Sequence, residues 1–187
     1  MKVFKIITDE DFGLKMKKIT NPRIRFGARG IIINKNNEIG LLYKEKKKEY
    51  KLIGGGVKKG ETYENAFIRE AREEAGCLIN IDKKIGIIKE IKTHDNFIQE
   101  SEVFIAHVVR DKMKLELTEK EIGEGSKFIW VKIDKAIELI RNSEKEIIAS
   151  KYDGEKSIYH TMFIVRRDAE ILKYYIKNCN IITHKLY

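Results

Sequence analysis

Residues Gly54-Gly55-Gly56-Val57-Lys58-Lys59-Gly60-Glu61-Thr62-Tyr63-Glu64-Asn65-Ala66-Phe67-Ile68-Arg69-Glu70-Ala71-Arg72-Glu73-Glu74-Ala75-Gly76-Cys77 decide how this chain is read. A glycine-rich turn runs into a helix predicted from about Thr62 to Ala75, which Gly76 stops. At about 100° per residue, Phe67, Ile68, Ala71 and Ala75 share one arc, and Glu70, Glu73 and Glu74 share the arc beside it. Three carboxylates are therefore bunched at the edge of the apolar face, while Asn65, Arg69 and Arg72 point away.

The bunching has a cost. Glu70 and Glu74 are four apart, a like-charge pair worth about 0.2–0.5 kcal/mol against an exposed helix and more when partly buried. On the helix, only Glu73 has a cation at helical spacing, Arg69 at i−4, and no Lys or Arg stands three or four positions from Glu70 or Glu74. A solvated acidic face tolerates this without explaining it. A divalent cation resolves it: Mg²⁺ or Mn²⁺ prefers oxygen and takes one or two carboxylates together with waters and substrate phosphates. Positions i, i+3 and i+4 offer oxygens to one side, and the preceding glycines let backbone groups approach a metal or phosphate unobstructed.

Residues 55–77 resemble the Nudix box, G-x5-E-x7-R-E-U-x-E-E-x-G-U with U apolar. Gly55, Glu61, Arg69, Glu70, Glu73, Glu74 and Gly76 all fall in register, with Ala71 and Cys77 at the apolar places. Leu52-Ile53-Gly54-Gly55 is similar to the family's common lead-in L-P-G-G, with isoleucine for proline. The resemblance implies hydrolysis of a nucleoside diphosphate linked to another moiety, with water attacking phosphorus and Mg²⁺ or Mn²⁺ stabilising the developing charge. It implies Glu73 and Glu74 as the principal metal ligands and Glu70 as a further ligand or a group orienting the attacking water. It also implies a metal contact from the Gly55 carbonyl, and Arg69 pairing with Glu61 or Glu73 to hold the carboxylates in orientation. Relatives often add a glutamate from outside the box. Glu121 is preferred for that role, ahead of Glu124, Glu100 and Glu102.

Working outward, Arg23 to Ile33 and Gly40 to Tyr43 read as strands joined by the turn Asn34-Lys35-Asn36-Asn37, and Lys51-Leu52-Ile53 as a short strand. Ile79–Ile81, Ile85–Ile91, Val103–Val109 and Phe128–Val131 are strand-like, and helices are expected over Asp134–Asn142 and from about His160 to Asn178. The mixture implies an α/β domain with helices covering its sheet. The resemblance makes it a Nudix-type α/β/α sandwich with a mixed central sheet, as a single domain over 1–187. Arg23, Arg25 and Arg29 share one strand face at period two, so Arg25 and Arg29 are candidates for binding substrate phosphate, the alternative being an exposed edge. Tyr43 and Phe97 are read as core packing before base stacking.

The 187 residues are 42% hydrophobic and 36% charged, which excludes a disordered chain, a collagen and a disulfide miniprotein. No apolar run reaches membrane-spanning length, and a cytoplasmic protein is expected. Cys77 and Cys179 are far apart and are expected as free thiols, and His94, His107, His160 and His184 lack metal-ligand spacing. The net charge is +9, and residues 1–60 hold 16 Lys and Arg against 6 acids, densest at Lys44, Lys46, Lys47 and Lys48. That concentration is either a solvated hairpin or an attraction for polyphosphate or nucleic acid. Three functions are therefore carried forward: a hydrolase of small nucleotide derivatives, an RNA 5′-end pyrophosphohydrolase, and a non-catalytic nucleotide sensor. The complete set of box acids weighs against the last. A homodimer is compatible with the resemblance, and no residue decides it.

Overall fold

In the computed structural model, which describes residues 2–178, the elements in chain order are β1 (Val3–Thr8), β2 (Arg23–Ile33), β3 (Ile39–Lys44), β4 (Glu49–Gly56) and α1 (Tyr63–Ala75). There follow β5 (Leu78–Lys92), β6 (Phe97–Arg110), α2 (Glu119–Gly123), β7 (Ser126–Val131), α3 (Ile133–Lys145) and α4 (Lys156–Asn178). The strands form one sheet in the order β1-β5-β6-β2-β4-β3-β7. β1 with β5 and β2 with β6 are parallel, and the remaining pairs are antiparallel. The α/β sandwich with a mixed sheet is thus as expected.

β2 is the axis, buried on both faces over Gly27–Ile33, which suits its β-branched run. Ala28 and Ile32 face α1 in a core with Ile53, Phe67, Ala71 and Phe104. Ile31 and Ile33 face α3 and α4 in a second core with Leu41, Leu52, Ile140, Phe163 and Leu172. Gly30 makes the first of these possible: a Cβ there would lie 2.4 Å from the Phe67 ring.

α1 is fixed at both ends. The Thr62 hydroxyl accepts from the Asn65 amide at 3.1 Å, an N-cap. Gly76 ends the helix at φ +59°, where the Gly76 and Cys77 amides return to Arg72 and Ala71 at 3.1 Å each.

The boundaries differ from expectation in instructive places. β1 was not expected as a strand: Val3 and Ile6 are exposed and only Ile7 is buried, so the segment lacks a strong apolar signature. The two strands expected around residues 79–91 are one, because Lys83 and Lys84 stay paired to β6 across irregular register. β6 begins at Phe97 and not Val103, since its early buried residues include the polar Gln99 and Ser101. α4 begins at Lys156, four residues before the expected start. Cys77 is a buried free thiol, while Cys179 and His184 lie outside the described residues.

Candidate active site

The end of β4 brings three glycines against α1. Gly54 has φ +137°, and a Cβ there would lie 2.3 Å from the Ala28 carbonyl, so glycine is required by conformation and by space. A Cβ on Gly55 would lie 2.2 Å from Glu70 Oε1 and 2.8 Å from Oε2. The Glu70 carboxylate therefore rests on the backbone of Gly55, and the box's first glycine and first helical glutamate meet in space.

Arg69 organises what lies around them. Its Nε and Nη2 donate to the two Glu61 oxygens at 2.9 and 3.1 Å, a forked pair, and Nη2 also donates to the Gly56 carbonyl at 3.0 Å. Nη1 donates to Glu70 at 2.7 Å and Glu73 at 3.1 Å. The expectation of a partner in Glu61 or Glu73 resolves to both, with Glu70 added. The hydrogen bonds it donates to Glu61 and Glu70 hold the guanidinium well above its ordinary range, and Arg69 in turn lowers the Glu61 carboxyl.

Glu74 is deeper, 3% exposed. One oxygen accepts from Lys51 Nζ at 2.7 Å and the other from the Gly54 amide at 3.0 Å. Burial pushes its carboxyl upward, against the pull of Lys51 and that amide. Glu121 reaches the same place from α2, beside the Glu74 carboxyl. Burial would raise Glu121, but bonds from the Thr118 amide at 2.9 Å and hydroxyl at 2.8 Å, with Lys51 nearby, bring it below its ordinary value.

Glu70 and Glu74 thus have cations that helical spacing does not supply. Arg69 serves Glu70 from the adjacent position, and Lys51 serves Glu74 from another element, neither visible in helical spacing. Glu73, with its side chain 28% exposed, is the most open of the three acids. Among the described residues no three His, Cys, Asp or Glu side chains are gathered into a ready-made metal cage. The donor set is nonetheless all oxygen, with a glycine backbone at its base, and Mg²⁺ takes only one or two carboxylates plus substrate phosphates. These donors fit a hard divalent cation in chemistry.

The other outside glutamates have other work. Glu124 is buried between Lys44 at 2.7 Å and Ser150 at 2.6 Å, Glu100 pairs with Lys89 at 2.7 Å, and Glu102 with Lys84 at 2.7 Å. Arg25 and Arg29 are both at the glycine ribbon. The Arg25 guanidinium lies over Gly56, where a Cβ would be 2.8 Å from Nη2, and Arg29 Nη1 donates to the Gly54 carbonyl at 2.5 Å. Burial, with the Arg167 guanidinium close by, lowers Arg29 to about 10. With Arg23 they line a cavity of about 640 Å³ between the sheet and α4. Tyr43 stacks on Tyr50 with centroids 4.3 Å apart, and Phe97 is buried in the cavity wall.

Sequence reasoning missed Lys51 and the polar wall residues Lys92 and Arg167. Arg167 carried a signal: with Phe163 and Ile171 it occupies every fourth position on the buried stripe of α4, a charge where an apolar residue is expected.

Residues 23–151 match the NUDIX domain family. The chain is 37% identical over 65 residues to an RNA pyrophosphohydrolase of Orientia tsutsugamushi, spanning 34% of this chain and 40% of that protein. It is 36% identical over 87 residues to an ADP-ribose pyrophosphatase of Methanocaldococcus jannaschii, spanning 44% of this chain and 51% of that protein. The matched stretches are therefore about half or less of these relatives' lengths. In structure it is similar to a NUDIX hydrolase from Nitrosomonas europaea, with a TM-score of 0.53, 18% identity, and 67% of this chain and 80% of the other covered.

Proposed function

This chain belongs to the NUDIX domain family, and from that premise we propose that it is a divalent-metal-dependent pyrophosphohydrolase. Its substrate is a nucleoside diphosphate linked to another moiety, cleaved at the pyrophosphate. The observation that carries this reading is the Arg69 fork, which ties Glu61, Glu70, Glu73 and the Gly56 carbonyl into one constellation at the glycine ribbon.

Glu73, Glu74, Glu70 and the Gly55 carbonyl are the residues proposed to hold Mg²⁺ or Mn²⁺. When bound there, such an ion supplies Lewis acidity and a more acidic water. Arg69 keeps the carboxylates from splaying, so their orientation is set before substrate arrives. Glu121, beside Glu74, is the residue proposed to accept a proton from the attacking water. Arg25 and Arg29 offer guanidinium donors to phosphate oxygens from the opposite side of the ribbon.

A second reading, with the 5′ end of RNA as substrate, is favoured by the density of cations around Arg25 and Arg29. The test is a panel of nucleoside diphosphate derivatives and a 5′-triphosphorylated RNA, each incubated with and without Mg²⁺, with released phosphate species resolved by chromatography. The proposal expects Mg²⁺-dependent cleavage of at least one compound. No cleavage of any would overturn it. RNA cleavage whose KM rises steeply with salt would favour the second reading.

A further inference from the structure

Among the described residues, nine Lys and Arg side chains and three acids line the cavity between the sheet and α4. Each acid already has a cation: Glu49 with Lys47 at 2.5 Å, Glu124 with Lys44 at 2.7 Å, and Asp153 with Lys120. Lys92 and Arg167 are held by Glu90 and Asp168, which lie behind the wall. Four cations remain, Arg23, Arg25, Arg29 and Lys156, with no ion pair among the described residues. Two guanidinium nitrogens in the wall, Arg29 Nε and Arg167 Nη2, are buried without a hydrogen-bond partner, as is one acceptor, Glu49 Oε1. Leaving a buried donor unmet costs about 1–3 kcal/mol, more for a charged group. Arg29 and Arg167 also repel each other.

The wall is poor in what a nucleobase needs. Among the described residues Phe97 is its one phenyl ring, and Arg23 lies over it at 4.6 Å with Lys92 at 5.6 Å. His160 is paired to Asp95 at 2.9 Å. The Phe97 ring is thus already engaged by cations, while unpaired positive charge and orphaned donors converge on the same space. The cavity adjoins the reaction site through Arg25 over Gly56 and Arg29 on the Gly54 carbonyl.

We infer that this cavity binds a run of phosphates, so that the substrate is a polyphosphate compound whose scissile linkage at the glycine ribbon continues into the cavity as further phosphate. A surplus of four cations matches a triphosphate, which carries about four negative charges at neutral pH, better than a diphosphate. This deepens the pyrophosphohydrolase reading and rests on it for the position of the scissile bond, while the binding itself needs no hydrolysis.

The test is calorimetric titration of inorganic tripolyphosphate into the full chain without divalent metal, in wild type and in the double variant Arg23→Gln/Lys156→Gln. Both substituted cavity residues are exposed, so the double variant keeps the fold. One tripolyphosphate binds per chain, about tenfold or more tighter than pyrophosphate, and adenosine does not bind. The double variant weakens tripolyphosphate by about tenfold or more, and affinity falls steeply between about 50 and 200 mM salt. Binding without divalent metal, and so without turnover, separates this inference from the hydrolytic one. Tripolyphosphate binding no tighter than pyrophosphate, or indifferent to the double substitution, overturns it. A nucleoside triphosphate and a 5′-triphosphorylated RNA, titrated alike, identify the source. A large gain for the RNA assigns the phosphates to an RNA end, and equal affinity assigns them to a small molecule.

Discussion

The Lys51 ammonium on β4 donates to the Glu74 carboxylate of α1 at 2.7 Å, 23 residues away in sequence. This contact keeps a nearly buried acid ionisable at the base of the site, and it stands where a divalent cation would also act. Removing one partner of a buried ion pair costs about 3–5 kcal/mol because the other charge is left uncompensated. Lys51→Met therefore lowers the melting temperature in metal-free buffer. Mg²⁺ raises the variant's melting temperature by more than it raises that of wild type, since the cation substitutes for the ammonium. Equal Mg²⁺ shifts in the two proteins would contradict this account.

Arg69 makes five hydrogen bonds to three carboxylates and one carbonyl. A lysine ammonium has neither the fork nor the reach to replace them. Arg69→Lys is expected to lower kcat by about 10–100-fold, the usual scale for an orienting residue, with little change in KM. Wild-type kcat would remove Arg69 from the orienting role.

Gly54 and Gly55 separate folding from chemistry. A Cβ on Gly55 meets the end of a flexible side chain, Glu70 Oε1 at 2.2 Å, so Gly55→Ala displaces the carboxylate and leaves the fold intact. A Cβ on Gly54 meets backbone, the Ala28 carbonyl at 2.3 Å, at φ +137°. Gly54→Ala is expected to lose about 1–3 kcal/mol or more of stability. Gly55→Ala loses turnover by about tenfold or more while its denaturation midpoint stays close to wild type. The reverse pattern would show that the ribbon is described wrongly.

Burial alone would raise Glu90, but Lys92 and Arg167 bring its carboxyl down to about 2 from an ordinary 4.5. A carboxyl depressed by folding stabilises the native state fully above its unfolded pKa, and that support is lost as pH falls from about 4.5 through about 2. The contribution is about 3 kcal/mol at neutral pH. Glu90→Gln therefore destabilises the protein more at pH 7 than at pH 3 in urea denaturation. A deficit independent of pH would contradict the assignment.

How legible the site was follows from which contacts are local. The glycines, the helix and the register of Glu70, Glu73 and Glu74 follow one another within 23 residues, so spacing and chain order define them. β2 was read to the residue because its triple isoleucine is buried on both faces. The partners of the acids were harder. Lys51 comes from β4, and Arg69 serves Glu70 from i−1, a position that does not normally face its neighbour. The lysine cluster at 44–48 was read as either solvated or anion-binding. It divides, with Lys44 and Lys47 turned to the cavity and Lys46 and Lys48 exposed. The cavity itself assembles residues from β2, β5, β6 and α4, and no single window of sequence contains it.

In the proposed function the acids of α1 hold a divalent cation against a pyrophosphate. The most direct measurement is the steady-state hydrolysis rate of a cleaved panel compound against Mg²⁺ concentration, for wild type and Glu73→Gln, alongside their melting curves. The account predicts a rate that saturates with Mg²⁺ in wild type and disappears with chelator. It predicts a fall of at least about a hundredfold in Glu73→Gln, the loss of about 2.7–4 kcal/mol of transition-state stabilisation, with the melting curve preserved. A folded Glu73→Gln that turns over at the wild-type rate, or a wild-type rate indifferent to chelator, would contradict it.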